Sequence, residues 1–231
     1  MPSLDPSVLT FDCFGTLIDW ERGIQTTLQP ILRARSIILE DDDLLERFAP
    51  LEAAAEAGPY LTYRAVLGQV LDGFGEQLGF AATQAERDGL GESVPSWPPF
   101  PDTGPGLRAL KTRFKLAVIT NCDTDLFAAT AKQFPVSFDE VITAEQVGSY
   151  KPSRKNFEVA FERLGVPREN ILHVAQSLYH DIAPARELGL TTVWVNRRGN
   201  ASGSGATPQA TATPDYEVPD LRSLVELLGL L

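Results

Sequence analysis

Short apolar runs rich in β-branched residues recur along the chain at lengths typical of buried parallel strands. The first run is Val8–Phe11, and helix-like segments separate the later ones. Gly165 and Gly189 follow two of these segments, where glycine commonly ends a helix. The alternation predicts an α/β fold with a doubly wound parallel sheet. The later strands are predicted at Lys115–Thr120, Glu140–Thr143, Ile171–Ala175 and 191–196, and the helices at 107–113, 125–133, 155–164 and 182–188.

A different pattern fills residues 18–99, where apolar positions recur at helical spacing and no convincing strand occurs. This block ends in the proline-rich stretch 93–101, which suits neither a helix nor a central strand. We therefore expect an all-helical cap domain over the C-terminal ends of the strands. Residues 1–17 and 100–231 then form the core domain, and the Gly-, Ala-, Ser- and Thr-rich stretch 198–214 is predicted to be a mobile surface loop.

The charge balance narrows the range of partners. The chain carries 20 Lys and Arg against 31 Asp and Glu, a net charge of -11, which disfavours nucleic acid and anionic membranes. Its two cysteines, Cys13 and Cys122, form no stapling pattern, which indicates a reducing compartment. The first residues lack a basic segment and an apolar run, and no stretch is long enough for a membrane span. We expect a soluble cytoplasmic protein.

Polar side chains follow four of the predicted strands, at the edge where parallel sheets bind ligands. A carboxylate follows the first strand, a hydroxyl–amide pair the second, a lysine the third, and a hydroxyl and an acid the fourth. For Asp12, Thr120, Asn121 and Asp181 the alternative role is to cap or turn into the helix that follows. In strand order they are Asp12 and Thr16, Thr120 and Asn121, Lys151, and Ser177 and Asp181.

In order and placement, these residues resemble the four motifs of the haloacid dehalogenase superfamily, whose helical cap occupies the same gap. Phosphatases of that superfamily carry an acid two residues after the nucleophile, where this chain has Phe14, which has no proton to donate. They also carry a magnesium-binding aspartate where this chain has Gln176, and a neutral amide is a poor ligand for a hard dication. The departures imply an enzyme without metal or cofactor, although a phosphatase with an altered magnesium site remains an alternative.

The first motif, from Asp12 to Leu17, resembles the L-2-haloacid dehalogenase branch, which implies a hydrolase acting on a small anionic carboxylate. In that branch the aspartate displaces halide from the α-carbon, and water hydrolyses the resulting ester. The resemblance implies that Asp12 is the nucleophile, supported by Thr16. The other implied roles are substrate carboxylate binding by Thr120 and the backbone at Cys13 and Phe14, leaving-group contact by Asn121, ionisation of Asp12 by Lys151, and positioning of water by Ser177 and Asp181.

The predicted cap domain, residues 18–99, should complete the substrate site. Arg47 is the nearest counterpart of the cap arginine that receives halide, and Arg64 is a second candidate. Trp20 is expected to line the pocket, although core packing is an equal alternative. The resemblance to dimeric relatives also implies a homodimer.

A closer resemblance concerns the leaving group. The segments around Trp20, before Lys151 and around His180 are similar to the subgroup that contains L-azetidine-2-carboxylate hydrolase. That reaction opens a strained ring bearing an α-carboxylate, and its amine leaving group eventually needs a proton, for which His180 is a candidate donor. A haloacid substrate and a cyclic amino acid remain alternatives, and a non-catalytic binding protein is a third hypothesis.

Overall fold

The computed structural model describes residues 5–199, 201 and 203–230 of the protein. Its strands are β1 (Val8–Phe11), β2 (Lys115–Thr120), β3 (Glu140–Thr143), β4 (Ile171–Ala175), β5 (Thr191–Val195) and β6 (Tyr216–Val218). They form one parallel sheet in the order β3-β2-β1-β4-β5-β6. The predicted doubly wound α/β architecture is confirmed, and β1, buried along its whole length, lies at the point where the strand order reverses.

Helices flank the sheet and fill the long interval after β1. Between β1 and β2 the structure contains α1 (Trp20–Arg33), α2 (Asp41–Glu56), α3 (Tyr63–Leu78), α4 (Gln84–Ser93) and α5 (Thr103–Lys111). After β2 come α6 (Thr124–Thr130), α7 (Ala144–Val147), α8 (Arg154–Leu164), α9 (Ala183–Glu187) and α10 (Leu221–Leu227). We call α1 to α4 the helical block. Within the described part of the chain, no helix is both long enough and apolar enough to cross a membrane.

The helical block and the sheet share a continuous apolar core. Leu9 and Phe11 of β1 belong to the same buried cluster as Phe48 of α2 and Phe74 of α3. The proline-rich linker contributes Trp97, whose ring packs edge-on against Phe14 with the ring centroids 5.9 Å apart. The block therefore lies against the C-terminal edge of the sheet, which closes a cleft above the strand ends. The division into two domains stays a prediction.

A carboxylate from the sheet side begins one helix of the block. Asp123, at the start of the α6 segment, accepts hydrogen bonds from the backbone N–H of Tyr63 at 2.7 Å and of Arg64 at 3.2 Å. These are the first residues of α3, whose free N–H groups attract a negative charge. This contact fixes the position of α3 relative to the end of β2.

The structure differs from the predicted elements where tertiary pairing overrides local pattern. Strand β6 was not predicted, because its three residues gain their extended form from pairing with β5. The predicted helix 182–188 is preceded by a wider π-helical turn, Leu178–Ile182, which re-aims the side chains that follow β4.

The expectation of a mobile surface loop over 198–214 is wrong for residues 205–207. Ala206 and Thr207 are buried, and the Ala206 N–H donates to Glu21 of α1. Positions 200 and 202 lie outside the described residues.

Candidate active site

A small cleft opens where the ends of β1, β2 and β4 meet the helical block. It encloses about 380 Å³ of space, including its open mouth. Four of the described lining residues are acids, and Lys151 is the strong base among them. The lining consists of Asp12, Phe14, Trp20, Glu52, Glu56, Tyr63, Asn121, Lys151, Gln176, Ser177, His180, Asp181 and Thr207.

Asp12 lies directly after β1 and is 6% exposed. Its Oδ1 accepts a hydrogen bond from Lys151 Nζ at 2.9 Å, and its Oδ2 accepts one from Thr16 Oγ1 at 2.7 Å. Thr16 Oγ1 in turn accepts from the backbone N–H of Gln176, so its own hydrogen points at the carboxylate. Asp12 is therefore held in one orientation by donors on both of its oxygens.

The turn after Asp12 requires a glycine. Gly15 has a φ of +96°, a conformation that side chains strain, and a Cβ there would approach Gln176 Oε1 and Trp20 Nε1 to 3.0 Å. The chain can therefore bend sharply enough to bring Thr16 back to Asp12.

Lys151 joins the two carboxylates of the cleft. Its buried ammonium donates to Asp12 Oδ1, to Asp181 Oδ1 at 2.6 Å and to the carbonyl of Ile119 at 2.8 Å. Burial disfavours this charge, but the two carboxylates outweigh burial and raise the pKa of Lys151. The lysine is therefore a permanent cation between two acids.

The two carboxylates differ in their electrostatic surroundings. Burial raises the pKa of Asp12, although Lys151 opposes the shift. Burial acts in the same direction on Asp181, but Lys151 and His173 outweigh it and lower the pKa of Asp181. His173 Nε2 lies 3.1 Å from Asp181 Oδ1, and its Nδ1 lies 2.9 Å from Thr10 Oγ1. His173 of β4 therefore contacts Asp181 from the sheet side and favours its ionised form.

Ser177 and His180 form a second polar pair at the end of β4. Ser177 Oγ accepts from the backbone N–H of His180 at 2.8 Å and lies 3.2 Å from its Nδ1. Burial lowers the pKa of His180 to about 4, so its ring is neutral at neutral pH. Its Nε2 is buried without a hydrogen-bond partner among the described residues.

The helical block contributes two carboxylates to the cleft. Glu52 and Glu56 lie one turn apart at the end of α2, and the Tyr63 hydroxyl donates to Glu52 Oε1 at 2.8 Å. Burial raises the pKa of Glu52 to about 8. Burial and the neighbouring charge of Glu52 raise the pKa of Glu56 well above its ordinary value. This side of the cleft is acidic.

Neither arginine expected from the sequence lies in the cleft. Arg47 is exposed on α2 and donates to Gln77 of α3. Arg64 points along the outside of the block, where it pairs with Glu92 and Asp125. The expectation that Arg47 or Arg64 faces the substrate is therefore wrong: both extend toward partners outside the cleft.

Other predicted residues have structural contacts that define their places. Asn121 brackets the backbone of Lys151, because its Oδ1 accepts from Lys151 N–H and its Nδ2 donates to Lys151 C=O. Thr120 is buried one residue earlier, with its Oγ1 unbonded among the described residues. Phe14 and Trp20 line the cleft, whereas the Cys13 side chain is packed in the core.

The sequence reasoning missed Glu52 and Glu56. A signal was present, because Phe48, Glu52 and Glu56 are spaced by four residues and therefore share one face of α2. Burying two acids on the apolar face of a helix is costly. Their presence on that face therefore indicates a functional site. Thr207 was also missed, since it lies in a stretch with no regular pattern and donates to Gln176 Oε1.

Comparisons with known proteins identify the family of the chain. A model of the haloacid dehalogenase-like hydrolases matches residues 6–189. The chain is 33% identical over 153 residues to a (S)-2-haloacid dehalogenase of Pseudomonas sp. (strain YL), covering 65% of this chain and 63% of that protein. It is 26% identical over 228 residues to a haloacetate dehalogenase of Moraxella sp. (strain B), covering 96% of this chain and 97% of that protein.

The fold comparison extends over almost the whole chain. The crystal structure of an L-2-haloacid dehalogenase superposes with a TM-score of 0.78 at 25% identity, covering 98% of this chain and all of that one. The family model spans most of the sequence and includes every strand-end residue of the cleft. The protein therefore belongs to the haloacid dehalogenase-like hydrolases.

Proposed function

We propose that the protein hydrolyses small 2-substituted carboxylates at the α-carbon, without a metal ion, through a covalent ester on Asp12. The observation that carries this proposal is the pairing of the buried Asp12 carboxylate with Lys151, beside Phe14 rather than a second acid. Relatives described as (S)-2-haloacid dehalogenases support the same substrate class.

In the first step an oxygen of Asp12 attacks the α-carbon of the substrate. The new carbon–oxygen bond forms as the bond to the leaving group breaks, and the leaving group keeps the electron pair. Lys151 keeps Asp12 ionised and Thr16 fixes its orientation, so the attacking lone pair is directed into the cleft. Our predicted site for the substrate carboxylate consists of Thr120 and of the backbone N–H groups that follow Asp12.

In the second step water attacks the carbonyl carbon of the Asp12 ester. The bond between that carbon and the substrate oxygen breaks, which releases a 2-hydroxy acid and restores the carboxylate. Asp181 Oδ2 is buried with no partner among the described residues, so it has a free lone pair for a water hydrogen. Ser177, on the same side of the cleft, is the second group we assign to this water.

The donor set argues against a divalent cation in this site. The ammonium of Lys151 bonds both strand-end carboxylates, Asp12 and Asp181, at the position between them. Gln176 offers a neutral amide whose Oε1 already accepts from Thr207. Hard dications favour charged oxygen ligands, and here the two carboxylates are already bound by the Lys151 ammonium. We therefore favour the ester mechanism over metal-dependent phosphatase activity. The experiment below can detect either one.

A strained cyclic amino acid is the second candidate substrate. The observation that favours it is the acidic side of the cleft, where Glu52 and Glu56 stand in place of a cation that would receive halide. A protonated carboxyl group can donate a hydrogen bond to the ring nitrogen of such a substrate, whereas a carboxylate repels a departing halide.

A single-turnover reaction in H₂¹⁸O tests the proposal. With enzyme in excess over L-2-chloropropionate or L-azetidine-2-carboxylate, we expect ¹⁸O in the peptide that contains Asp12. The Asp12→Asn variant serves as the control and should take up no label. Label that enters only the product would refute the ester. Phosphate-ester hydrolysis that EDTA abolishes would favour the phosphatase instead.

A further inference from the structure

The position two residues after Asp12 holds Phe14, so it supplies no proton for a leaving group. Phe14 cannot protonate a leaving group, yet two other carboxyl groups face the same space from α2. Glu52 is 3% exposed, and the side chain of Glu56 is 6% exposed. Burying two carboxyl groups a turn apart is costly unless a proton neutralises at least one of them.

The surroundings of the pair favour the protonated form. Glu52 accepts a hydrogen bond from the Tyr63 hydroxyl at 2.8 Å, and Glu56 Oε2 accepts one from the Asn121 amide at 3.3 Å. Both hydrogen bonds favour the ionised form, but burial outweighs them. Burial raises the pKa of both groups, the charge of Glu52 raises that of Glu56 further, and Lys151 only partly opposes the shift of Glu56. At neutral pH the pair therefore holds a proton. The titratable groups that face Glu56 include Glu52 on its own helix, Tyr63 of α3, Tyr150 and Lys151 after β3, and His180 after β4.

His180 connects this proton to the water side of the cleft. Ser177 Oγ accepts the backbone N–H of His180 and lies 3.2 Å from Nδ1, so its hydroxyl can also donate to that ring nitrogen. When Ser177 donates to Nδ1, the ring hydrogen of His180 is on Nε2, which lies 3.8 Å from Glu56 Oε2. His180 is 8% exposed and its Nε2 has no partner within the described chain. The ring nitrogen is therefore available to carry a proton between Ser177 and Glu56.

We propose that Glu56, hydrogen-bonded by Asn121 and facing His180, is the acid that protonates the leaving atom of the substrate. The inference rests on the proposed ester mechanism and specifies its leaving group. As Asp12 attacks the α-carbon, the α-carbon–nitrogen bond of a neutral amine breaks and its electron pair stays on nitrogen. Nitrogen takes the proton of Glu56, which becomes a carboxylate.

Hydrolysis of the ester restores the acid. Water adds its hydroxyl to the Asp12 carbonyl carbon and releases one proton when the Asp12 carboxylate re-forms. That proton returns to Glu56 through Ser177 and His180, so one turnover consumes one water and no net proton. The arrangement is suited to amine or alkoxide leaving groups, since a halide departs without a proton.

Substitution of Glu56 tests the assignment. We compare Glu56→Gln with Glu46→Gln, which removes an exposed carboxylate from the same helix, on L-azetidine-2-carboxylate and L-2-chloropropionate. General-acid catalysis contributes about 10²–10⁴-fold, so Glu56→Gln should lower kcat for the amine by that factor and lower it far less for the haloacid. Glu46→Gln should match the wild type on both substrates.

The pH profile separates an acid from a structural residue. A general acid must be protonated, so wild-type kcat for the amine should fall as pH rises through the pKa of Glu56. This alkaline limb should be absent in Glu56→Gln and present in Glu56→Asp, which retains a carboxyl group. Thermal unfolding of each variant by circular dichroism checks that it is folded.

The outcomes distinguish the inference from the proposed function. Equal losses on the two substrates, or an unchanged alkaline limb in Glu56→Gln, would overturn the role of Glu56 and leave the ester mechanism in place. Turnover of the haloacid alone by the wild type would do the same. Turnover of neither substrate, with no ¹⁸O in the Asp12 peptide, would overturn both.

Discussion

Replacing Lys151 by methionine removes the one cation that joins Asp12 to Asp181, while keeping a side chain of similar length. The ammonium lies 2.9 Å from Asp12 and 2.6 Å from Asp181, and all three side chains are at least nine-tenths buried. Removing one partner of a buried ion pair costs about 3–5 kcal/mol, because the remaining charge is left unpaired. We expect Lys151→Met to lower the free energy of unfolding by that amount at neutral pH and to abolish turnover.

Urea unfolding followed by circular dichroism measures this loss, and a second substitution identifies its cause. If the cost comes from unpaired carboxylates, adding Asp181→Asn should recover about 2 kcal/mol, which is within the range of measured couplings between contacting residues. Asp181→Asn in the wild-type background is the control for the cycle.

The pH dependence of the variant gives an independent check. Without the lysine, the folded-state pKa values of Asp12 and Asp181 rise above their unfolded values, so the folded protein binds more protons than the unfolded chain. Stability of Lys151→Met should then fall as pH rises from about 4 to 8. A loss below about 1 kcal/mol, or one that Asp181→Asn leaves unchanged, would refute the reasoning.

Three further predictions concern the turn, the helical block and the histidine. Gly15→Ala should lower stability by about 1–3 kcal/mol, and more than Gly79→Ala, because both glycines have positive φ but only at Gly15 would a Cβ meet neighbouring atoms; thermal unfolding compares them. Arg47→Gln should leave kcat/KM within about twofold of the wild type, since an exposed side chain outside the cleft affects it little; a large rise in KM would contradict our placement. Burial lowers the folded-state pKa of His180 from 6.5 to about 4, so its contribution is present above pH 6.5 and lost as pH falls through 4. Urea unfolding at pH 7.5 and 4.5 should therefore show a smaller acid-induced loss in His180→Gln than in the wild type.

Much of the sheet could be predicted from local pattern. Val8–Phe11 and Ile171–Ala175 are buried on both faces, so their apolar runs are continuous and their bounds are sharp. Strand β6 could not be predicted in this way, because three residues carry no periodicity and their conformation depends on β5. The turn at Leu178–Ile182 likewise depends on how the chain leaves β4.

The strand-end residues of the site were also accessible from sequence. Asp12, Lys151 and Asp181 each follow a strand, and parallel strands deliver their C-terminal ends to one edge, so their convergence follows from topology. The arginines were misplaced because position along a helix does not specify which face meets the sheet. That face depends on how the whole block packs.

Local periodicity and strand order were enough to predict the doubly wound sheet, the helical block after β1 and the placement of Asp12 and Lys151 after neighbouring strands. The side of the cleft formed by α2 depended instead on tertiary packing. The packing of α2 over the cleft turned Glu52 and Glu56 inward and left Arg47 outside. The four-residue spacing places the two acids on one face of the helix, but packing decides that this face meets the cleft. The charge on this side of the cleft is therefore a property of the packed helix rather than of the strand-end motifs.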